Sequence, residues 1–499
     1  MNASVFLDTN RNVGPIDRRI FGGFLEHIGR AVYEGVYDPG NPLSDALGFR
    51  QDVLEALRPM RMPLVRYPGG NFVSNYDWRD GIGPQEQRPA RPDFAWKTIE
   101  PNTFGVDEFT GWCRELGTSP MIIVNLGTGE PKQAAELLEY CNLPGGTYWA
   151  DQRMANGNKE PHGVKLWGLG NEMDGPWQAG HVPAEVYARR AGQAGQLMKG
   201  LDPSIELAIS GSSGQIVPTY MEWDRIVLEH CWDHVDYIAT HHYSRNDPDD
   251  TARFLAEGVV VDRMIEDYAS LLRYMRALKK SDKRIYVAFD EWNVWYRAHG
   301  ADHAWWERAP HLLEEVYNLE DALVVAQYLS SFIRHADVVK VACLAQIVNV
   351  IAPILTRPDG VLIQSIYHPF VLYSEHAQGL SLVPAVDCPT YDVDERGEVP
   401  TLDVAACYDP EGSRMSLFLV NRDLQQKMTV DVTLYDRSIE AVIEAAVLSG
   451  DDPKAANSWE DPNVVKPAPG EAQVTADGRV RVEVPALGLA VVALKLSAQ

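Results

Sequence analysis

Basic residues are scarce in this chain of 499: 45 lysines and arginines face 70 aspartates and glutamates, a formal net charge of −25. A phosphate backbone or an anionic bilayer would be repelled by that balance, so neither nucleic acid nor a membrane surface is expected as a partner. Cysteine is also sparse. The six (Cys113, Cys141, Cys231, Cys343, Cys388, Cys407) lack CxxC spacing and mostly sit in apolar contexts, which predicts buried free thiols rather than disulfides. No apolar run is long enough to span a bilayer. Met1 to Asp8 has neither the basic start nor the apolar core of a secretory signal, so the cytoplasm is the expected compartment. No GxGxxG follows the first apolar run, which argues against a dinucleotide-binding fold.

Apolar residues make up 45% of the chain and charged residues 23%, ordinary values for a globular protein with room for one large domain and a smaller one. Eight short apolar runs alternate with helical patterns: Ile20–Leu25, Leu64–Tyr67, Met121–Leu126, Val164–Leu169, Ile205–Ser210, Val235–Thr240, Ile285–Phe289 and Val338–Ala345. Near-continuous apolar strands of this kind belong to a parallel sheet covered on both faces, and eight of them predict a (β/α)8 TIM barrel. After Leu380 the helical period gives way to short β-rich segments separated by Gly, Pro, Asp and Asn, the texture of an antiparallel β-sandwich. The predicted division is a barrel over 15–379 and a sandwich over 380–499, completed by the strand-like residues 1–14, with a polar loop over 461–472.

Polar residues cluster where the runs stop: Glu26-His27, Arg66 with Asn71, Asn125, Asn171-Glu172, Ser210 to Ser213, His241-His242-Tyr243, Asp290-Glu291, and Gln346 with Asn349. In a barrel all of these share the C-terminal rim, where active sites are built. Glu172 and Glu291, each beside an amide (Asn171, Asn293) and near tryptophans, have the makings of a carboxylate pair for glycoside hydrolysis. Binding alone requires neither a proton-holding acid nor an in-line nucleophile, so a sugar-binding protein without turnover is the weaker reading.

The strings Gly22-Gly23-Phe24-Leu25-Glu26-His27, Arg66-Tyr67-Pro68-Gly69-Gly70-Asn71, Trp167 through Trp177 and Asp290-Glu291-Trp292-Asn293 resemble, in this order, the α-L-arabinofuranosidases of glycoside hydrolase family 51. The resemblance extends to Trp96 through Asn102 and Ala345 through Val350. It implies a (β/α)8 barrel with a jelly-roll sandwich and a retaining, cofactor-free mechanism that releases terminal arabinofuranose from arabinan, arabinoxylan or their oligosaccharides. It implies further that Glu172 is the general acid/base and Glu291 the nucleophile. Asn171 would bind the sugar 2-hydroxyl, Tyr243 would aim Glu291, Glu26, Asn71 and Gln346 would hold the other hydroxyls, and Arg66 would lie near the nucleophile. A homo-oligomer, often a hexamer, also follows from the resemblance.

Several of these residues admit a plainer role. Arg66 ends an apolar strand and needs a carboxylate partner, for which Glu26 is one candidate. Asn71 follows Gly69-Gly70 and could serve turn geometry, Tyr243 could be rim packing, and Trp292 could be wholly structural. Trp96 and Trp177 are the candidates for touching the sugar or its leaving group. His241-His242, with Glu26-His27 and Asp290, could instead hold a metal; His241 as a hydrogen-bonding support of the site is the preferred reading, with no metal. The sister activities left open are β-D-xylosidase and endoglucanase.

Overall fold

The computed structural model describes residues 1–298 and 305–497. Eight parallel strands close into a barrel: β1 (Gly22–Phe24), β2 (Leu64–Tyr67), β3 (Ser119–Val124), β4 (Leu166–Leu169), β5 (Glu206–Ser210), β6 (Tyr237–Ser244), β7 (Tyr286–Val294) and β8 (Val339–Ala345). Each pairs with its neighbours in sequence, and β8 returns to β1 through Leu344↔Gly23. Every residue of β1, β2 and β4 is buried, as expected of strands covered by helices outside and by side chains within. The helices between them have local causes. Val106–Leu116, for example, starts where the Glu108 carboxylate accepts the Gly105 amide at 2.8 Å, and it stops at Gly117, whose φ of +80° suits glycine.

Strands β6 and β7 run further than their apolar runs, to Ser244 and Val294, carrying polar residues on extended backbone to the rim. Their pairing is irregular between Ala239 and His241 and between Phe289 and Trp292. Successive strand residues ordinarily point to opposite faces, and the second irregularity lets Asp290 and Glu291 both reach Arg66 inside the barrel.

Two sheets form the sandwich. One has five strands, including Asn2–Leu7, Met428–Leu434 and Val480–Val484; the other has seven, including Asn12–Pro15, Leu402–Asp409, Arg414–Asn421 and Gly488–Leu496. Val5, Val430 and Val482 of the first meet Leu417, Leu419 and Leu494 of the second in a common core. Asn2–Leu7 lies parallel to Met428–Leu434, with Val5 opposite Val432. The segment expected to be a loop contributes Ala468–Pro469 and the start of Glu471–Val474 to the sheets, a pairing its polar composition hides.

The helix Leu319–Arg334 joins the two parts, and every residue from Leu319 to Ile333 is buried. It lies between β7 and the sandwich strand Leu402–Asp409, so both its faces are covered. Arg334 closes the junction with Asp403 at 2.7 Å, and Arg422 reaches Gln327 at 2.7 Å and Asp403 at 2.6 Å. All six cysteines are free, five of them buried and Cys388 half-buried. Among the described residues, no helix is long and apolar enough to cross a membrane.

Candidate active site

Arg66, the third residue of β2, organises the centre of the barrel mouth. Its guanidinium meets Glu291 Oε1 at 2.7 Å and Asp290 Oδ2 at 3.0 Å, donates to Asn171 Oδ1 at 2.5 Å, and lies 4.3 Å from the centroid of the Phe24 ring. An isolated cation at this depth would be very costly, and two carboxylates supply the compensation. Glu26, one candidate partner from sequence, is not bound to it. With Oδ1 of Asn171 taken by Arg66, its buried Nδ2 has no partner among the described residues and is left to donate to a ligand.

Glu172 follows β4 on a tight turn in which Gly170 has φ +84° and Glu172 itself φ +44°. This left-handed backbone turns its carboxylate back over the barrel. Oε1 faces His241 Nδ1 at 2.9 Å, and Oε2 accepts the Trp177 indole N–H at 2.7 Å. His241 Nε2 meets Asp290 at 3.2 Å, so the imidazole bridges the acid at β4 to the one at β7. One oxygen each of Glu172 and Glu291 and a ring nitrogen of His241 all lie within 4.8 Å of one another.

Burial alone would lower the His241 pKa, but Glu291, Asp290 and Glu172 together outweigh it and raise it well above the usual value. Burial likewise pushes Asp290 up, and Arg66 and His241 overturn that, holding it ionised. For Glu291 burial dominates and raises the pKa, helped by Glu172 and Asp290 and opposed by His241 and Arg66. The Tyr243 hydroxyl donates to Glu291 Oε2 at 2.9 Å, a further aid to the anion.

Glu26, just past β1, forms a second polar wall. Its oxygens accept the Phe72 amide at 2.9 Å, the Trp96 indole at 3.0 Å and the Gln346 side-chain amide at 3.1 Å, and its own amide donates to Gln346 Oε1 at 2.7 Å. Burial, reinforced by the charge of Glu291, pushes its carboxyl up to about 8. The Gly69-Gly70 pair is explained here: a Cβ on Gly70 would sit 3.0 Å from both Glu26 Oε2 and Glu291 Oε1, and one on Gly69 would sit 2.8 Å from Glu26 Cγ. Asn71 opens the short turn Asn71–Asn75, whose next residue, Phe72, donates its amide to Glu26. The loop that carries Trp96 is tied to the loop after β7 by Trp306 N–H to Lys97 O at 2.7 Å and Ile99 N–H to Glu307 O at 3.1 Å.

The structure therefore brings Glu26, Arg66, Asn71, Trp96, Asn171, Glu172, Trp177, His241, Tyr243, Glu291 and Gln346 to one rim. Trp177 is 51% exposed although its N–H holds Glu172, so its ring is available to a leaving group. Trp292 points the other way, fully buried against Tyr328 and Phe332, and is structural. Asn293 likewise serves the fold, donating to Ala345 O and Ile351 O at 2.7 Å each. The paired-histidine arrangement is not formed. His242 turns to Glu257 at 3.1 Å, and His27 engages Glu100 and Tyr67, both at 2.8 Å. His241 faces a carboxylate with each ring nitrogen, Glu172 at 2.9 Å and Asp290 at 3.2 Å, and with Glu172 and Glu291 it forms a group whose potential ligand atoms lie within 4.8 Å of one another. Sequence reasoning missed Asp290 as the shared partner of Arg66 and His241; its place directly before Glu291 was the available signal.

Known proteins match the chain over most of its length. Models described as "Alpha-L-arabinofuranosidase 1 domain" and "Alpha-L-arabinofuranosidase C-terminal domain" match residues 56–264 and 290–487. The chain is 44% identical to an intracellular exo-α-(1→5)-L-arabinofuranosidase of Acetivibrio thermocellus over 91% of its own length and 92% of the relative's. It is 40% identical to an exo-α-(1→6)-L-arabinofuranosidase of Bifidobacterium longum, over 98% and 96%. A solved family 51 α-L-arabinofuranosidase from Bifidobacterium longum superposes with a TM-score of 0.95 at 38% identity, covering 98% of this chain and 99% of that one.

Proposed function

This chain belongs to the α-L-arabinofuranosidases of glycoside hydrolase family 51, exo-acting enzymes, and on that premise we propose a retaining double displacement on terminal α-L-arabinofuranosyl groups of arabinan, arabinoxylan and their oligosaccharides. The observation that carries the mechanism is the carboxylate spacing. Oxygens of Glu172 and Glu291 within 4.8 Å suit a retaining pair, whereas an inverting enzyme holds its carboxyl groups roughly 6.5–9.5 Å apart to admit a water.

In the first step Glu291 Oε attacks the anomeric carbon while Glu172 protonates the departing glycosidic oxygen. Arg66 and the Tyr243 hydroxyl keep the nucleophile anionic and aimed. In the second step Glu172 takes a proton from water, which attacks the same carbon and frees Glu291. The unpartnered Nδ2 of Asn171 meets the 2-hydroxyl, a bond that tightens as the ring gains oxocarbenium character. Glu26, Gln346 and Asn71 receive the remaining hydroxyls. No step calls for a metal or an organic cofactor.

The names of the relatives make α-1,5-linked arabino-oligosaccharides the first substrates to test, and the label "intracellular" favours the cytoplasm and short, imported oligosaccharides. A homo-oligomer, hexameric by family analogy, is part of the same reading. Hydrolysis of an aryl α-L-arabinofuranoside followed by proton NMR tests it: the first product is the α-anomer. Initial release of the β-anomer refutes retention, and cleavage of aryl β-D-xyloside or β-D-glucoside in its place moves the enzyme to a sister activity.

A further inference from the structure

Glu315, 1% exposed, lies outside the pocket and touches no residue assigned to the reaction. A carboxylate so deeply buried is costly unless fully partnered, and among the described residues the partners of its side chain belong to the short segment after β7. Oε1 accepts the Arg297 amide at 3.1 Å, Oε2 accepts the Ala298 amide at 2.6 Å, and the Arg297 guanidinium lies 3.3 Å away. The other end of that guanidinium is held by buried Asp321. Glu315 is itself anchored, because its carbonyl accepts from Gln364 Nε2 at 3.0 Å.

From this clamp a chain of contacts leads to the reacting group. Ala298 O accepts the Trp295 indole N–H at 2.7 Å, and the Trp295 amide donates to Ser244 O at 3.0 Å. The indole so fixed stands edge-on to the Tyr243 ring, centroids 5.5 Å apart at 81°. Tyr243 donates its hydroxyl to Glu291 Oε2. A phenol on an extended strand end has freedom about its side-chain bonds, and an edge-on indole removes it.

We propose that Glu315 is a positioning residue for the reaction: it fixes residues 295–298 so that Trp295 holds Tyr243 in hydrogen-bonding reach of Glu291. The proposal rests on Glu291 being the nucleophile.

A double-mutant cycle tests it. Glu315→Gln keeps the size of the side chain but sets an amide N–H against a backbone N–H. With an aryl α-L-arabinofuranoside it lowers kcat about tenfold, KM staying within about twofold. In a Tyr243→Phe background the same substitution changes kcat less than about twofold, because the hydroxyl it positions is gone. A purely structural role would lower the thermal midpoint equally in both backgrounds and multiply the two kinetic losses. Multiplying losses, or no loss in the Tyr243-containing enzyme, overturns the proposal. If Glu315→Gln does not fold, Trp295→Phe, which removes the donor to Ala298 O, enters the same cycle under the same criteria. A wild-type enzyme without arabinofuranoside turnover defeats the functional reading and removes this proposal with it, whereas an active wild type with an additive cycle defeats the proposal alone.

Discussion

Arg66 and Asp290, both almost fully buried, meet at 3.0 Å beside the Arg66–Glu291 ion pair rather than through it. Asp290 thus takes up positive charge that would otherwise fall on Glu291 alone. Asp290→Asn leaves Arg66 and His241 under-compensated and is expected to lower stability by about 3 kcal/mol, the low end for breaking one side of a buried pair. The native Asp290 pKa is depressed, so its stabilisation is present above the ordinary carboxylate range and is lost as pH falls through the folded-state value. Urea unfolding at pH 7 and below pH 4 checks both points: the variant's deficit shrinks in acid, and a constant deficit contradicts the linkage.

Tyr243 contributes a charge-assisted hydrogen bond to Glu291. Such bonds are worth about 1.5–3 kcal/mol, so Tyr243→Phe is expected to lower kcat/KM on an aryl arabinofuranoside roughly 10- to 150-fold. The loss falls on kcat with little change in KM if the bond matters most as charge shifts at Glu291. A dominant rise in KM would assign Tyr243 to substrate binding instead.

Glu26 holds its proton to about 8 when folded. Between the ordinary carboxylate range and that value the folded protein binds the extra proton, so stability falls as pH rises across the window. Glu26→Gln cannot lose a proton, and its unfolding free energy should decline less from pH 5 to pH 8 than that of the wild type, by on the order of a few kcal/mol. Equal slopes by denaturant titration would remove Glu26 from the pH response. Its loss should also raise KM for every arabinofuranoside alike.

Gly70→Ala places a methyl 3.0 Å from two carboxylate oxygens at once. We expect kcat/KM to fall by about 100-fold or more, with a stability loss of about 1–3 kcal/mol from overpacking. Gly200, in the helix Ala184–Leu201, is the control: a Cβ there meets nothing within 4 Å, and Gly200→Ala should stabilise by about 0.4–1 kcal/mol without touching activity. Comparable activity losses in the two variants would mean that crowding at Gly70 is not the cause.

The barrel was legible because its strands are apolar on both faces and its rim residues follow each strand directly; all eight runs overlap a barrel strand. Arg66 stood out because a charge at the end of an apolar run demands a partner, and the two glutamates because each follows such a run with an amide nearby; the role of Tyr243 was implied only by the family resemblance. What was hidden depends on which way a side chain points. Asp290 and Glu291 share a face only because β7 slips register beside them, and no pattern of residue types announces a slip. His242 and Trp292 look like site residues from their neighbours, yet alternation turns both outward, to Glu257 and to the helix Leu319–Arg334. Glu315 and Asp321 went unremarked in the sequence, and only the fold reveals them as buried clamps on the segment after β7.

The parallel pairing of Asn2–Leu7 with Met428–Leu434 has a bearing on how the molecule is made. A ribosome delivers the first of these strands long before the second. At roughly 5–20 residues per second the early strand waits on the order of tens of seconds for its partner. Through that interval Ala3, Val5 and Leu7, buried in the finished protein, have no sheet to join. The barrel can close while they wait, but the sandwich can assemble only after nearly all of the chain has emerged. Nascent copies therefore carry an apolar strand with both backbone edges unpaired, and it is during synthesis, rather than in the folded state, that this enzyme is most exposed to aggregation.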